Sequence, residues 1–89
     1  MRLLWEHKDE MGRELGLWRR EDGALVPISV QQEHLGLDSH VHLAAAELLH
    51  LAEGLLMPTA LRVELETLAV VEGVLGVTLR TLSGPEREP

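Results

Sequence analysis

The first thirty positions contain three short segments rich in large or alternating apolar side chains, a pattern typical of β-strands. Within one such segment, Leu15 and Leu17 share one face, and Gly16 and Trp18 share the other. Polar residues and glycines separate the segments, so the sequence predicts a three-stranded antiparallel meander. The predicted strands are residues 2–7 (RLLWEH), 13–20 (RELGLWRR) and 24–30 (ALVPISV).

The clearest turn signal lies between the second and third strands, at Glu21-Asp22-Gly23. Glycine readily adopts the positive φ of a tight hairpin, and aspartate can hydrogen-bond to nearby backbone. Pro27 in the third strand has no N–H to donate to a neighbouring strand. We therefore expect the third strand to lie at the edge of the sheet.

Beyond residue 38 the apolar period changes to that of an α-helix. Asp38 or Ser39 is suited to cap the N-terminus, and Met57-Pro58 ends the pattern. Leucine and alanine residues fall on one broad face, and histidines and glutamates fall mainly on the opposite one. The sequence predicts one long amphipathic helix over residues 39–56, packed on one face of the sheet.

The last third of the chain resumes an alternating pattern. Residues 61–66 (LRVELE) predict a half-buried strand that continues to Val71. A turn at Glu72-Gly73 would lead into a returning strand over residues 74–82. These elements form a predicted C-terminal hairpin.

A second helix over residues 59–72, capped by Thr59, is the alternative for this region. In that helix Val63 and Val70 would lie away from the leucines, and Glu72 would lie among them. Because both placements conflict with a simple amphipathic helix, the pattern favours the hairpin. The predicted fold is α+β, with a meander, one long helix and a C-terminal hairpin in a single domain over residues 1–82. The polar tail over residues 83–89 is expected to be disordered.

The charge balance narrows the classes of partner. Fifteen acidic and eight basic residues give a net charge of −7, which repels nucleic acids and anionic membranes. No stretch of about 18 apolar residues is present, and the N-terminus lacks the apolar core of a signal peptide. We expect a cytoplasmic protein that binds neither nucleic acid nor membrane.

The absence of cysteine excludes disulfides, thiolate metal sites and cysteine nucleophiles. The chain also has no asparagine and only two glutamines, Gln31 and Gln32, together with many arginine, glutamate and leucine residues. Such a composition is typical of proteins from thermophiles.

Histidines near the start of the predicted helix are the best candidates for metal ligands. A divalent ion could be bound by four side chains if the fold brought them close together: His34, Asp38, His40 and His42. However, His40 and His42 would lie roughly 160° apart on a helix. The pattern therefore favours a solvated polar face, with a metal-binding protein or metal-dependent enzyme as the second hypothesis.

Motifs for other chemistry are lacking. No serine lies in a G-x-S-x-G turn, and the glycines are too dispersed to form a phosphate-binding loop. Glu64 and Glu66 fit a charged outer face better than a pair of catalytic carboxylates. The sequence favours a protein without catalytic activity and without a cofactor.

The apolar surface of the predicted strands exceeds what one helix can cover. Trp5 and Trp18, the only aromatic residues, are either core residues or contacts with another chain. Val70, Val74 and Val77 place further apolar groups on the predicted hairpin. We therefore expect a small homo-oligomeric interaction or regulatory module, most simply a dimer, that could also bind a partner protein.

Overall fold

A computed structural model describes residues 1–32 and 38–76, which form four β-strands followed by two α-helices. The chain divides between Leu43 and Ala44 into two compact units, with the strands in the first and the helices in the second. An antiparallel sheet with separate helices confirms the α+β class. The elements are β1 (Arg2–Lys8), β2 (Arg13–Arg19), β3 (Leu25–Gln32), β4 (Asp38–His42), α1 (Ala45–Leu51) and α2 (Thr59–Leu75).

The strands lie in the order β1-β2-β3-β4, and each pairs antiparallel with the next. The predicted meander is therefore confirmed and is extended by one strand. In the first turn, Asp9 Oδ1 accepts the backbone N–H groups of Met11 and Arg13, each at 2.9 Å. Gly12 follows with φ of 87°, a conformation that favours glycine.

The predicted turn at Glu21-Asp22-Gly23 is also confirmed. Asp22 Oδ1 accepts the Ala24 N–H at 3.1 Å, and Gly23 has φ of 92°. The Arg20 N–H donates to the Ala24 carbonyl at 2.9 Å, which closes the hairpin between β2 and β3. The aspartate and glycine thus perform the roles that their residue types predicted.

The prediction that β3 lies at a sheet edge is wrong, because β3 pairs with both β2 and β4. Pro27 is opposite Leu17 of β2, but the pairing with β4 begins one residue later, at Ile28 and His42. The missing N–H is therefore not needed for the β4 ladder. The Pro27 carbonyl still accepts the Leu43 N–H, at 2.9 Å.

The predicted helix over residues 39–56 is wrong at both ends, because residues 38–42 form β4 and the helix α1 covers only Ala45–Leu51. His40 is opposite Val30, and His42 is opposite Ile28. Residues 38–42 pair with residues 28–32 of β3, which provide backbone hydrogen-bond partners. This pairing outweighs the helix-capping signal at Asp38 and Ser39.

The predicted strand over residues 61–71 is wrong, because this segment belongs to α2. The helix follows Pro58 and ends at Gly76, whose φ is 76° and whose N–H donates to the Glu72 carbonyl at 2.8 Å. The alternating pattern of residues 61–66 is too short to distinguish a strand from a helix that has apolar residues on two faces. Residues 77–82 of the predicted returning strand and the tail over residues 83–89 lie outside the described residues.

Each unit has its own set of buried side chains. In the first unit, Leu15 and Leu17 are buried on one face of the sheet, and Val26 and Ile28 on the other. In the second unit α1 packs against α2. Of its residues up to Gly76, those fully buried are Ala45, Leu48, Ala52 and Leu65.

Candidate interaction surfaces

Helix α2 carries apolar side chains on two opposite faces. One face contains the fully buried Leu65 and the half-buried Leu61 and Leu68. The opposite face consists of Val63, Val70 and Val74, which are 53%, 65% and 80% exposed. Their spacings of seven and four residues place these three side chains within about 40° of one another around the helix axis. We call them the exposed valine face.

Two of the predicted interface residues thus lie together on one surface. Val70 and Val74 belong to the exposed valine face, on a helix instead of a hairpin, while Val77 lies outside the described residues. Val63 is not among the predicted interface residues, because in the predicted strand over residues 61–66 it would share the buried face with Leu61 and Leu65. The seven-residue interval from Val63 to Val70 is the signal that could have found it.

Glu72 is buried among the leucines of α2 and is only 7% exposed. Its Oε1 accepts the backbone N–H of Ala45 at 3.0 Å. Ala45 is the first residue of α1, and the N–H groups of the first helical turn have no partner within the helix. The N-cap residue Ala44 provides no side-chain hydrogen bond to them. Glu72 therefore joins the two helices of this unit, while its Oε2 has no hydrogen-bond partner among the described residues.

The two tryptophans lie on adjacent strands but on opposite faces of the sheet. Trp5 is opposite Leu17, whereas Trp18 is opposite Leu3, with an irregular register between Leu3 and Trp5. Directly opposite residues share a face, and neighbouring residues along a strand alternate between faces. The structure therefore does not bring the half-buried indoles together into one apolar patch.

Trp18 packs over Gly16 on its own strand. A Cβ at Gly16 would lie 3.0 Å from the indole Nε1 and 3.9 Å from Leu3 Cδ1. The absence of a side chain at Gly16 thus lets the indole lie close to the backbone. A contact of either tryptophan with another chain stays a prediction.

The predicted metal ligands are only partly within the described residues. His40 and His42 are exposed on β4, and Asp38 begins that strand, while His34 lies outside the described part. The two imidazoles share one face, since they are two residues apart on a strand. Among the described residues no group of three potential ligands could hold a metal ion. The metal site stays a prediction.

Comparison with protein-family models, curated protein sequences and solved structures finds no match to this chain. Across residues 1–32 and 38–76, neither helix has the length and apolar character needed to cross a membrane.

Proposed function

We propose that this protein is a homo-oligomeric interaction module that associates through the exposed valine face of α2. The observation that carries the proposal is the exposure of Val63, Val70 and Val74 on the side of the helix opposite Leu65. Exposed apolar residues are unremarkable when scattered singly, but three aligned on one helix face are typical of helix–helix contacts. The role is one of assembly or regulation, without catalysis.

The spacing of small and apolar residues supports a second copy of the chain as the partner. Small or apolar residues lie four and seven positions before and after Thr67: Ala60, Val63, Val71 and Val74. Together with Thr67 they form a set of five. All five lie within an arc of about 80° on the helix, and Val70 flanks this arc at about 20° from Val63. A two-fold interface must be complementary to itself, and an antiparallel pair centred on Thr67 would place Val63 opposite Val71 and the smaller Ala60 opposite Val74. We therefore propose an antiparallel pairing with Thr67 at the two-fold axis.

The length of the contact indicates the strength of association. From Ala60 to Val74 the helix rises about 21 Å, which is four turns. We expect one such helix pair to bury no more than about 1,200 Å², the lower end of the range for standard interfaces, and to dissociate in the micromolar range. Association should therefore depend on protein concentration between about 1 and 500 μM.

Sedimentation equilibrium over that concentration range tests the proposal. We expect a reversible monomer–dimer equilibrium for the parent chain and a monomer for Val70→Glu, because the new carboxylate would be buried against the partner. Val41→Glu is the matched control, since Val41 is 51% exposed on β4 in the first unit. It should retain the parent dissociation constant.

A parent chain that stays monomeric at the highest concentration would overturn the proposal. Loss of dimerisation in Val41→Glu but not in Val70→Glu would also overturn it. Val74→Glu provides a second variant on the exposed valine face, and circular dichroism of each variant verifies that the helices are retained.

A further inference from the structure

An open concavity at one end of the sheet brings three arginines together. It is lined by Arg2 of β1, Arg19 at the end of β2 and Arg20 just beyond it, and has a volume of about 420 Å³. Met1, Glu21 and Gly23 complete its lining. Three of the eight basic residues of a chain with net charge −7 are thus concentrated at one place. We call it the arginine concavity.

The strand register places two of these arginine residues directly opposite each other. Arg2 pairs with Arg19 in the antiparallel ladder between β1 and β2. Like charges in such opposed positions repel each other and destabilise the strand pair. An anion between the two guanidinium groups would convert this repulsion into attraction.

The hairpin turn holds two of the guanidinium groups in place. Arg19 Nη1 donates to the Gly23 carbonyl at 3.1 Å, and Arg20 Nη2 lies 2.7 Å from Asp22 Oδ2. Both arginines make further interactions within the protein. Because a guanidinium group has five N–H donors, it can keep these contacts and also bind an anion. The site is therefore partly preorganised for an anionic ligand.

We propose that the arginine concavity binds the phosphate group of a small molecule. Guanidinium groups match the geometry of phosphate oxygens through paired hydrogen bonds, and several arginines suit a dianion. Glu21 at the lining and the net negative charge of the chain disfavour an extended polyanion such as nucleic acid. The expected ligand is free phosphate or a small phosphomonoester.

A titration with inorganic phosphate, followed by ¹⁵N NMR at constant ionic strength, tests this site. The Nε–H signals of Arg2, Arg19 and Arg20 and the amide of Gly23 should shift and reach saturation. Arg2→Gln and Arg19→Gln should each weaken binding about tenfold, the loss expected for one charge-assisted hydrogen-bonded group. Arg13→Gln is the matched control, because Arg13 lies at the other end of β2. It should bind phosphate like the parent chain.

Further outcomes decide whether the proposal holds and which ligand it names. Shifts that grow linearly without saturation, or an equal loss in Arg13→Gln, would overturn the proposal. Acetate binding as tightly as phosphate would overturn the assignment to phosphate. Tighter binding of glycerol phosphate than of inorganic phosphate would support a phosphomonoester, and equal binding would support free phosphate. The amide spectra of the glutamine variants in phosphate-free buffer verify their fold.

Discussion

At the scale of single residues, Glu72 shows how a polar side chain can belong to a core. Its position among the leucines of α2 counted against a helix in the sequence, because a glutamate is rarely buried. In the structure its Oε1 accepts the Ala45 N–H, which α1 itself cannot pair. The residue that conflicts with the helical pattern therefore has a specific structural role. A sequence alone does not reveal it, because the donor lies 27 residues away.

Glu72→Ala should lower the free energy of unfolding by about 1–3 kcal/mol, since it leaves a buried N–H without an acceptor. Glu72→Gln retains a side-chain carbonyl oxygen and should lose less than Glu72→Ala. Urea denaturation followed by circular dichroism measures both. Glu66→Ala, at an exposed position of the same helix, should change the stability by less than about 0.5 kcal/mol. Equal effects of Glu72→Ala and Glu66→Ala would contradict the role of Glu72.

At the scale of elements, local signals predicted the hairpins of the meander and a helix that contains α1, but they missed β4 and helix α2. The strand from Arg13 and the turn at Gly23 depend on residues close in sequence, and both were predicted correctly. The segment 38–42 became a strand because β3 provides backbone partners, which local capping signals cannot reveal. Helix α2 was misinterpreted because Val63 and Val70 lie opposite its leucines. Those valines conflict with an isolated amphipathic helix, yet they are expected of a helix that contacts a second chain.

Cysteine cross-linking can test the proposed antiparallel pairing of α2, because the parent chain has no cysteine. With the two-fold axis at Thr67, Val63 of one copy lies opposite Val71 of the other. A chain carrying both Val63→Cys and Val71→Cys should form a doubly linked dimer on mild oxidation. In Val63→Cys alone, the two cysteines would lie about 12 Å apart along the helices, too far for a disulfide.

The single variant therefore serves as the control for this experiment. Efficient linkage of Val63→Cys to itself would indicate parallel helices and contradict the antiparallel arrangement. A lack of linkage in the double variant, at concentrations where sedimentation detects dimer, would place the contact elsewhere on the protein. Mass spectrometry of the linked peptides identifies which residues are joined.

At the scale of the whole molecule, the chain is negatively charged overall but has one local concentration of positive charge. The net charge of −7 predicted the absence of a broad basic surface, yet three arginines line one concavity. Composition could not predict this local concentration, because Arg2 and Arg19 are distant in sequence and meet only through strand register. The same net charge opposes the approach of two copies of the chain. A dimer of this protein must therefore be stabilised by apolar contact against electrostatic repulsion.

Salt should strengthen the association of two such chains. Raising the NaCl concentration from about 20 to 500 mM shortens the screening length from roughly 20 to 4 Å, which weakens repulsion between the copies. The dissociation constant measured by sedimentation should fall several-fold. Glu66→Gln removes one negative charge next to the exposed valine face and should reduce the salt dependence. A dissociation constant that rises with salt would indicate that ion pairs between the copies dominate the interface. That result would contradict an interface formed mainly by the exposed valine face.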